Sequence, residues 1–178
     1  MRKIPHNPDE IIAVVDDKDK IIRGATRKEV HKGLLHREVY VYLINSKNKV
    51  LLQKRKDRHI WDHSSAGHFP KDQDYKEAAQ REFEEELGIR LDSKEFIEIG
   101  KEKLRESWED LTNYRFAKIF VVRKDIPIEK FKIDYGEVEE IKYFNKEELE
   151  QLLKNHEVIT SSAEMIIRKY ILKLLNNY

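Results

Sequence analysis

An α/β sandwich built on a mixed β-sheet is the fold class that the sequence predicts, and three observations predict it. Segments rich in β-branched and aromatic residues alternate with segments of helical apolar spacing, the pattern of a sheet covered by helices. Residues 37 to 45 are apolar on both faces, with Val39, Val41 and Leu43 on one and Tyr40, Tyr42 and Ile44 on the other, as a mid-sheet strand buried on both sides requires. Residues 74 to 88 carry helix punctuation at both ends: Asp74 with Glu77 three residues later is a capping-box start, and Gly88 is a C-terminal stop.

The elements follow in order. Residues 10 to 15, Glu-Ile-Ile-Ala-Val-Val, predict a strand, and Asp16-Asp17-Lys18-Asp19 a turn into a second short strand near Ile21 and Ile22. Thr26 is a candidate N-cap for one or two helical turns over residues 27 to 32, ending at Gly33. After the central strand, Ser46-Lys47-Asn48-Lys49 predicts a turn, and residues 50 to 55 a strand that pairs back on it. Residues 96 to 104 and 114 to 122 are strand candidates joined by the acidic stretch Glu106-Ser107-Trp108-Glu109-Asp110. Pro127 marks a break, residues 138 to 144 a last strand, and Asn145 the cap of a helix reaching about Lys154. Ser161 or Ser162 opens a C-terminal helix whose apolar side is Ile166, Ile167, Tyr170, Ile171 and Leu174.

The helix ending at Gly88 carries the most chemistry. Ala79, Phe83 and Leu87 recur every four residues as a stripe to bury, while Glu82, Glu85 and Glu86 share another face, predicted to be wet. Like charges at such spacings repel unless a cation sits among them. A hard divalent ion is the natural occupant, and Mg2+ is commonly completed by substrate phosphates, which points to a phosphorylated small molecule. The competing interpretation is a solvated acidic helix.

The chain's 178 residues suit one domain spanning 1–178, with an N-terminal hairpin and short helix over 1–35 and a C-terminal helix over 155–178. Charged residues make up 39% of it, yet the net charge is +1, so no basic excess announces a nucleic-acid polymer as partner. Cysteine is absent, which removes disulfides and thiolate chemistry. The first residues lack the apolar run of a signal peptide, and no stretch reaches the roughly 20 apolar residues of a membrane span. A cytoplasmic protein without membrane attachment is expected.

At Gly67, Arg81, Glu82, Glu85, Glu86, Gly88 and Ile89 the chain resembles the Nudix hydrolases, whose signature is a Gly, five residues, Glu, seven residues, then Arg-Glu-aliphatic-any-Glu-Glu-any-Gly-aliphatic. Phe83 takes a normally aliphatic place, and Gln73 stands where the first Glu is expected, so Arg81 is predicted to lack a partner that Glu85 or Asp74 would replace. The resemblance implies a Nudix-like α/β/α sandwich and water attack on a pyrophosphate, with Mg2+ or Mn2+ held by Glu82, Glu85 and Glu86 and aided by a backbone carbonyl at Ala66 or Gly67. Glu82, Glu85 and Arg81 are the catalytic candidates in the signature. The general base is either a member of that ligand cluster or a later acid, of which Glu137 is the first choice, with Glu139 and Glu140 as alternatives. Dimers are common among such proteins, and a homodimer is one option.

Outside the signature, Val15-Asp16, His36-Arg37, Leu52-Gln53-Lys54-Arg55, Trp61-Asp62, Ala66-Gly67-His68 and Glu137-Val138 resemble the branch related to type I isopentenyl diphosphate isomerases. That resemblance places the metal-binding histidines of those isomerases on His31, His36 and His68, their cysteine on Ala66, and their two ligand glutamates near Asn113 and Arg115. Without thiol and carboxylates, carbon proton transfer loses its apparatus. His36, Arg37, Lys54, Arg55 and His68 are the substrate-binding candidates, since guanidinium and imidazole groups suit phosphate. Trp61, Tyr40, Tyr42, Trp108 and Tyr114 are stacking candidates that serve equally well as core. The substrate expected is a nucleoside diphosphate-type or related small-molecule diphosphate; the alternatives are a non-hydrolytic diphosphate-binding module and, behind it, a residual isomerase.

Overall fold

The computed structural model describes residues 10–108 and 111–175, apart from the side chains of Trp108 and Glu157. The Glu109-Asp110 pair, the Trp108 stacking candidate and the last three residues of the predicted C-terminal segment therefore lie outside the described residues. Strands β1 (Ile11–Val15) and β2 (Ile21–Thr26) form the predicted hairpin. Its turn is closed by Asp16, whose Oδ1 accepts from the backbone N–H groups of Lys18 and Lys20. Thr26 caps helix α1 (Arg27–Val30) in a full capping box with Glu29.

That helix stops two residues sooner than expected, and strand β3 (Lys32–Ile44) starts five residues earlier than the sequence pattern suggests. The cause is tertiary: the carbonyl of His31 accepts from the N–H of Thr112 at 2.7 Å, drawing the chain onto the sheet. Gly33, at φ +94°, is not a helix stop but an irregularity inside β3, where its register against a neighbour slips between Lys32 and Leu35.

Strand β4 (Val50–Arg55) also departs from expectation. It meets β3 only at the Ile44–Val50 pair, because the edges of β3 are taken by β6 (Ser65–His68) and by β8 (Leu111–Arg123). It pairs instead with β5 (Trp61–Asp62) and β9 (Val138–Phe144). Strand β7 (Ile97–Trp108) runs antiparallel to β8 and continues through most of the stretch expected as a connection. Because β8 is parallel to β3 while β1 and β6 are antiparallel to it, the sheet is mixed.

The alternation of side chains along β3 places the two cores. Val39, Val41 and Leu43 pack on Ala79, Phe83 and Leu87 of helix α2 (Tyr75–Leu87). Tyr40, Tyr42 and Ile44 pack on the opposite side against Leu149 of α3 (Lys146–Leu152) and against the C-terminal helical run. That run begins with α4 (Ser161–Ile166), capped by Thr160 rather than by either serine, and passes through a π-helical turn, Ile167–Ile171, into α5 (Leu172–Leu174). Helices thus cover both faces, the predicted sandwich. Among the described residues no helix is long and apolar enough to cross a membrane.

Candidate functional site

Helix α2 is fixed at both ends by its own sequence. Asp74 accepts from the backbone of Lys76 and Glu77, Glu77 reaches back to the Asp74 N–H, and Gly88 adopts the left-handed conformation at φ 69°. The chain then returns to this end of the helix: the Asp134 N–H donates to the Glu86 carbonyl at 3.0 Å, and the Glu137 N–H to the Asp134 carbonyl at 2.9 Å. Residues 134 to 137, far along the chain, are so brought beside its last turn.

Arg81 has a full set of acceptors. It donates to Gln73 Oε1 at 3.2 Å, Glu85 at 2.7 Å, Glu82 at 2.7 Å and the His68 carbonyl at 3.1 Å. The expectation that Gln73 leaves it short of a partner is corrected: an amide oxygen accepts the same bond as a carboxylate, without the charge. Asp74 is occupied as the helix cap.

The wet carboxylate face is also corrected. Glu82 and Glu86 are only 7% and 6% exposed, and Glu85 alone reaches solvent. Glu86 accepts from the Gln53 side chain and from the Ala66 N–H, both at 3.1 Å. Glu82 lies under Gly67, where an added Cβ would stand 2.3 Å from the Glu82 Cδ, so only glycine permits this approach. Burial pushes the Glu82 carboxyl up to about 8 against the pull of Arg81. Burial, with Glu82 and Glu137 as like charges nearby, pushes Glu86 well above the usual carboxylate range.

Two buried carboxyls short of compensating charge, beside a third at the surface, form a donor set that fits a hard divalent cation. Gly67→Ala is expected to displace Glu82 and to weaken Mn2+ binding by about tenfold to a hundredfold. Calorimetric titration with Mn2+ checks this, and unchanged affinity would count against the packing argument.

Beside Glu86 lies a cavity of about 580 Å³, whose lining does not include Arg81, Glu82, Glu85 or His36. Ala66, Gly67, His68, Arg55, Glu86 and Glu137 line it, as do His31, Tyr40, Asp62, Asn113 and Arg115, also singled out in the sequence. Arg55 is held there by Asp57 and Asp62. Arg37 and Lys54 are not among its lining residues: Arg37 bonds Asp19 at 2.7 Å and lies over the Tyr75 ring, while Lys54 pairs with Glu139 at 2.9 Å. Glu139 also bonds His59, and Glu140 is exposed outside the lining. Of the stacking candidates, Trp61 packs on Phe144, Tyr42 is core, and Tyr114 lies on the face of β8 opposite Arg115, with Phe116.

A second cluster adjoins the cavity. His31, His36 and His68 offer ring nitrogens within 4.8 Å of one another. The His36 Nδ1–H donates to the Leu34 carbonyl, leaving a bare Nε2 lone pair, and burial together with His68 pushes His36 down to about 4. Glu38, which the sequence analysis did not single out, sits at the hub. It accepts from Tyr40 at 2.8 Å, Asn113 at 2.8 Å and Arg115 at 3.0 Å, and lies 2.9 Å from His68 Nε2. Burial opposes its ionisation, but His68 and Arg115 hold it well below the usual carboxylate range. The charge of Glu38 is thus already matched by a guanidinium. Three neutral imidazoles remain as ligands for a transition ion, weaker than a set with two free carboxylates. The signal for Glu38 was its charge inside an otherwise apolar strand pattern.

Residues 34–164 match the family described as NUDIX domain. An uncharacterised Nudix hydrolase of Listeria monocytogenes is 32% identical over 143 residues, covering 78% of each chain. The Homo sapiens protein named isopentenyl-diphosphate delta-isomerase 2 is 30% identical over 173 residues, covering 82% of this chain and 74% of its own. Among solved structures, DR0079 from Deinococcus radiodurans superposes with a TM-score of 0.74 at 19% identity, over 90% of this chain and 99% of that one.

Proposed function

Because this chain belongs to the Nudix family, we propose that it is a metal-dependent hydrolase cleaving a pyrophosphate linkage in a nucleoside diphosphate-type or related small molecule. The observation that carries this reading is the burial of Glu82 and Glu86 side by side with raised proton affinity, an arrangement that costs stability and has its use in gripping a cation. Glu82, Glu85 and Glu86 would hold Mg2+ or Mn2+, with a carbonyl of Ala66 or Gly67 beside them. Such an ion, when bound, neutralises diphosphate charge and lowers the pKa of bound water.

The protein's own groups do the rest. Arg81 bonds Glu82 and Glu85 together and ties them to the His68 carbonyl, so their carboxylates are positioned before substrate arrives. Gln53 and the Ala66 N–H orient Glu86. Glu137, on the cavity wall near Glu86, accepts a proton from the attacking water. The water oxygen bonds to phosphorus, the anhydride P–O bond breaks, and the bridging oxygen leaves with its electron pair on the departing phosphate. Arg55 supplies donors for phosphate oxygens along the same wall, and His68 helps to shape it. The isomerase reading draws on relatives of that name, but Ala66 offers no acid or base for proton transfer at carbon. A single domain, a cytoplasmic location and an optional homodimer complete the proposal.

Incubation with Mg2+ or Mn2+ and a panel of diphosphates is the test. Release of phosphate or monophosphate, abolished by Glu85→Gln, is expected. Binding without turnover would make the protein a diphosphate-binding module instead, and an allylic product from isopentenyl diphosphate would make it an isomerase.

A further inference from the structure

We propose that the cavity takes a polyhydroxylated, sugar-like group as the part of the substrate beyond the scissile diphosphate, an inference that rests on the hydrolase reading above. Every lining side chain except Ala66 and Gly67 carries a polar or ionisable group. Ala66 and Gly67 lie on β6, and the strands then run β3, β8 and β7 across the sheet, with Glu106 and Ser107 on β7 also in the wall. Three strand steps give the wall a width of about 14 Å. That exceeds what two phosphates fill, so the far wall is free to meet the rest of the substrate.

Its chemistry suits hydroxyl groups. Glu106 uses one carboxylate oxygen to pair with Arg115 at 2.7 Å and is 27% exposed, so its other oxygen is open to accept. Ser161 is exposed at the rim; a hydroxyl both donates and accepts, as a sugar hydroxyl does. Asp62 is bound by Thr160 at 2.7 Å and Arg55 at 3.3 Å, which fixes its carboxylate as part of the wall.

Two other classes fit poorly. An isoprenoid chain would press methyl groups on charged side chains and strip them of water with nothing in return. A stacked base needs an open aromatic face. Tyr40, the sole Phe, Trp or Tyr side chain among the described lining residues, is 2% exposed, with His63 stacked on it at 3.8 Å and 11°.

The test uses matched probes with Mn2+: ADP-glucose, the cyclohexyl ester of ADP, which keeps the ring size and loses the hydroxyls, and isopentenyl diphosphate. The expected result is a kcat/KM for ADP-glucose at least about tenfold above either of the others, carried mainly in KM. Glu106→Gln should reduce that preference several-fold, and Ser161→Ala, at an exposed position that threatens no packing, should reduce it in the same direction. Equal turnover of the cyclohexyl ester, or faster turnover of isopentenyl diphosphate, overturns the proposal. If no diphosphate is cleaved, the hydrolase reading fails by itself. Calorimetry of the Mn2+-loaded protein then decides the inference: preferential binding of ADP-glucose over the ester supports it, and equal binding or none overturns it.

Discussion

Replacing Glu86 with glutamine is expected to lower metal-dependent pyrophosphate hydrolysis about a thousandfold, roughly 4 kcal/mol of barrier, while making the metal-free protein more stable at pH 8. Both effects come from one cause. Glu86 is buried with Glu82 at its side and Glu137 nearby, and these neighbours raise its proton affinity. A carboxyl whose folded pKa lies above its unfolded value holds its proton longer in the folded state. It has no effect below the unfolded pKa, and it removes stability progressively as pH rises towards the folded one.

For Glu82 that window runs from 4.5 to about 8, and the loss across it is on the order of a few kcal/mol. The metal-free protein should therefore melt at lower temperature as pH climbs through this range, and Mn2+ should restore what is lost. Glutamine at position 86 keeps the shape and two polar ends but carries no charge, so the slope shrinks and the melting point at pH 8 rises. Thermal melts of both proteins between pH 5 and pH 8.5, with and without Mn2+, together with turnover measurements, check the prediction. A wild-type melting point flat across that range, or a variant that turns over normally, would refute it.

How far the sequence reveals this arrangement depends on the range of the interaction concerned. The capped helix over Tyr75–Leu87 was legible to the residue, because Asp74, Glu77 and Gly88 act within one turn of each end. The strand over Val138–Phe144 was legible for the same local reason. What escaped was set across the sheet. Nothing near residue 32 shows that Thr112 will bond the carbonyl of His31 and start a strand there. The four-residue spacing of Glu82 and Glu86 shows that they share a face, but not that β6 covers it. Only the Gly67 backbone, pressed on the Glu82 carboxyl, turns a predicted wet surface into a buried one.

The site's second half was hidden in the same way. Asn113 and Arg115 attracted notice only as unsuitable replacements for metal ligands, whereas in the fold they bond Glu38 from the neighbouring strand β8. A buried charge in a strand is a long-range promise of a partner, and the sequence does not say which residue keeps it.

Arg115→Ala tests that partnership and carries the largest expected cost in stability, about 3–5 kcal/mol. Arg115 is 1% exposed and bonds Glu38 at 3.0 Å, Tyr40 at 2.9 Å, the Asn113 carbonyl at 3.2 Å and Glu106 at 2.7 Å. Its removal leaves Glu38 buried and ionised without its guanidinium, with Tyr40, Asn113 and the His68 imidazole as the remaining partners. For a chain of this size the loss corresponds to a melting point lower by about 10 °C. The sign with pH is opposite to that at Glu86. Glu38 has a depressed folded pKa, so the stability it draws from Arg115 is present above the unfolded value of 4.5 and fades as pH falls through the folded one. The damage in Arg115→Ala should accordingly be largest near neutral pH and shrink in acid, where Glu38 takes up a proton. Adding Glu38→Gln to the variant removes the stranded charge and should recover much of the loss, since an amide in that pocket still finds Tyr40 and Asn113 as partners. Denaturant melts of the single and double variants at pH 5 and pH 7.5 read all three effects. A cost under about 1 kcal/mol for Arg115→Ala, or a double variant no more stable than the single one, would mean that the guanidinium is not what keeps Glu38 charged in the interior.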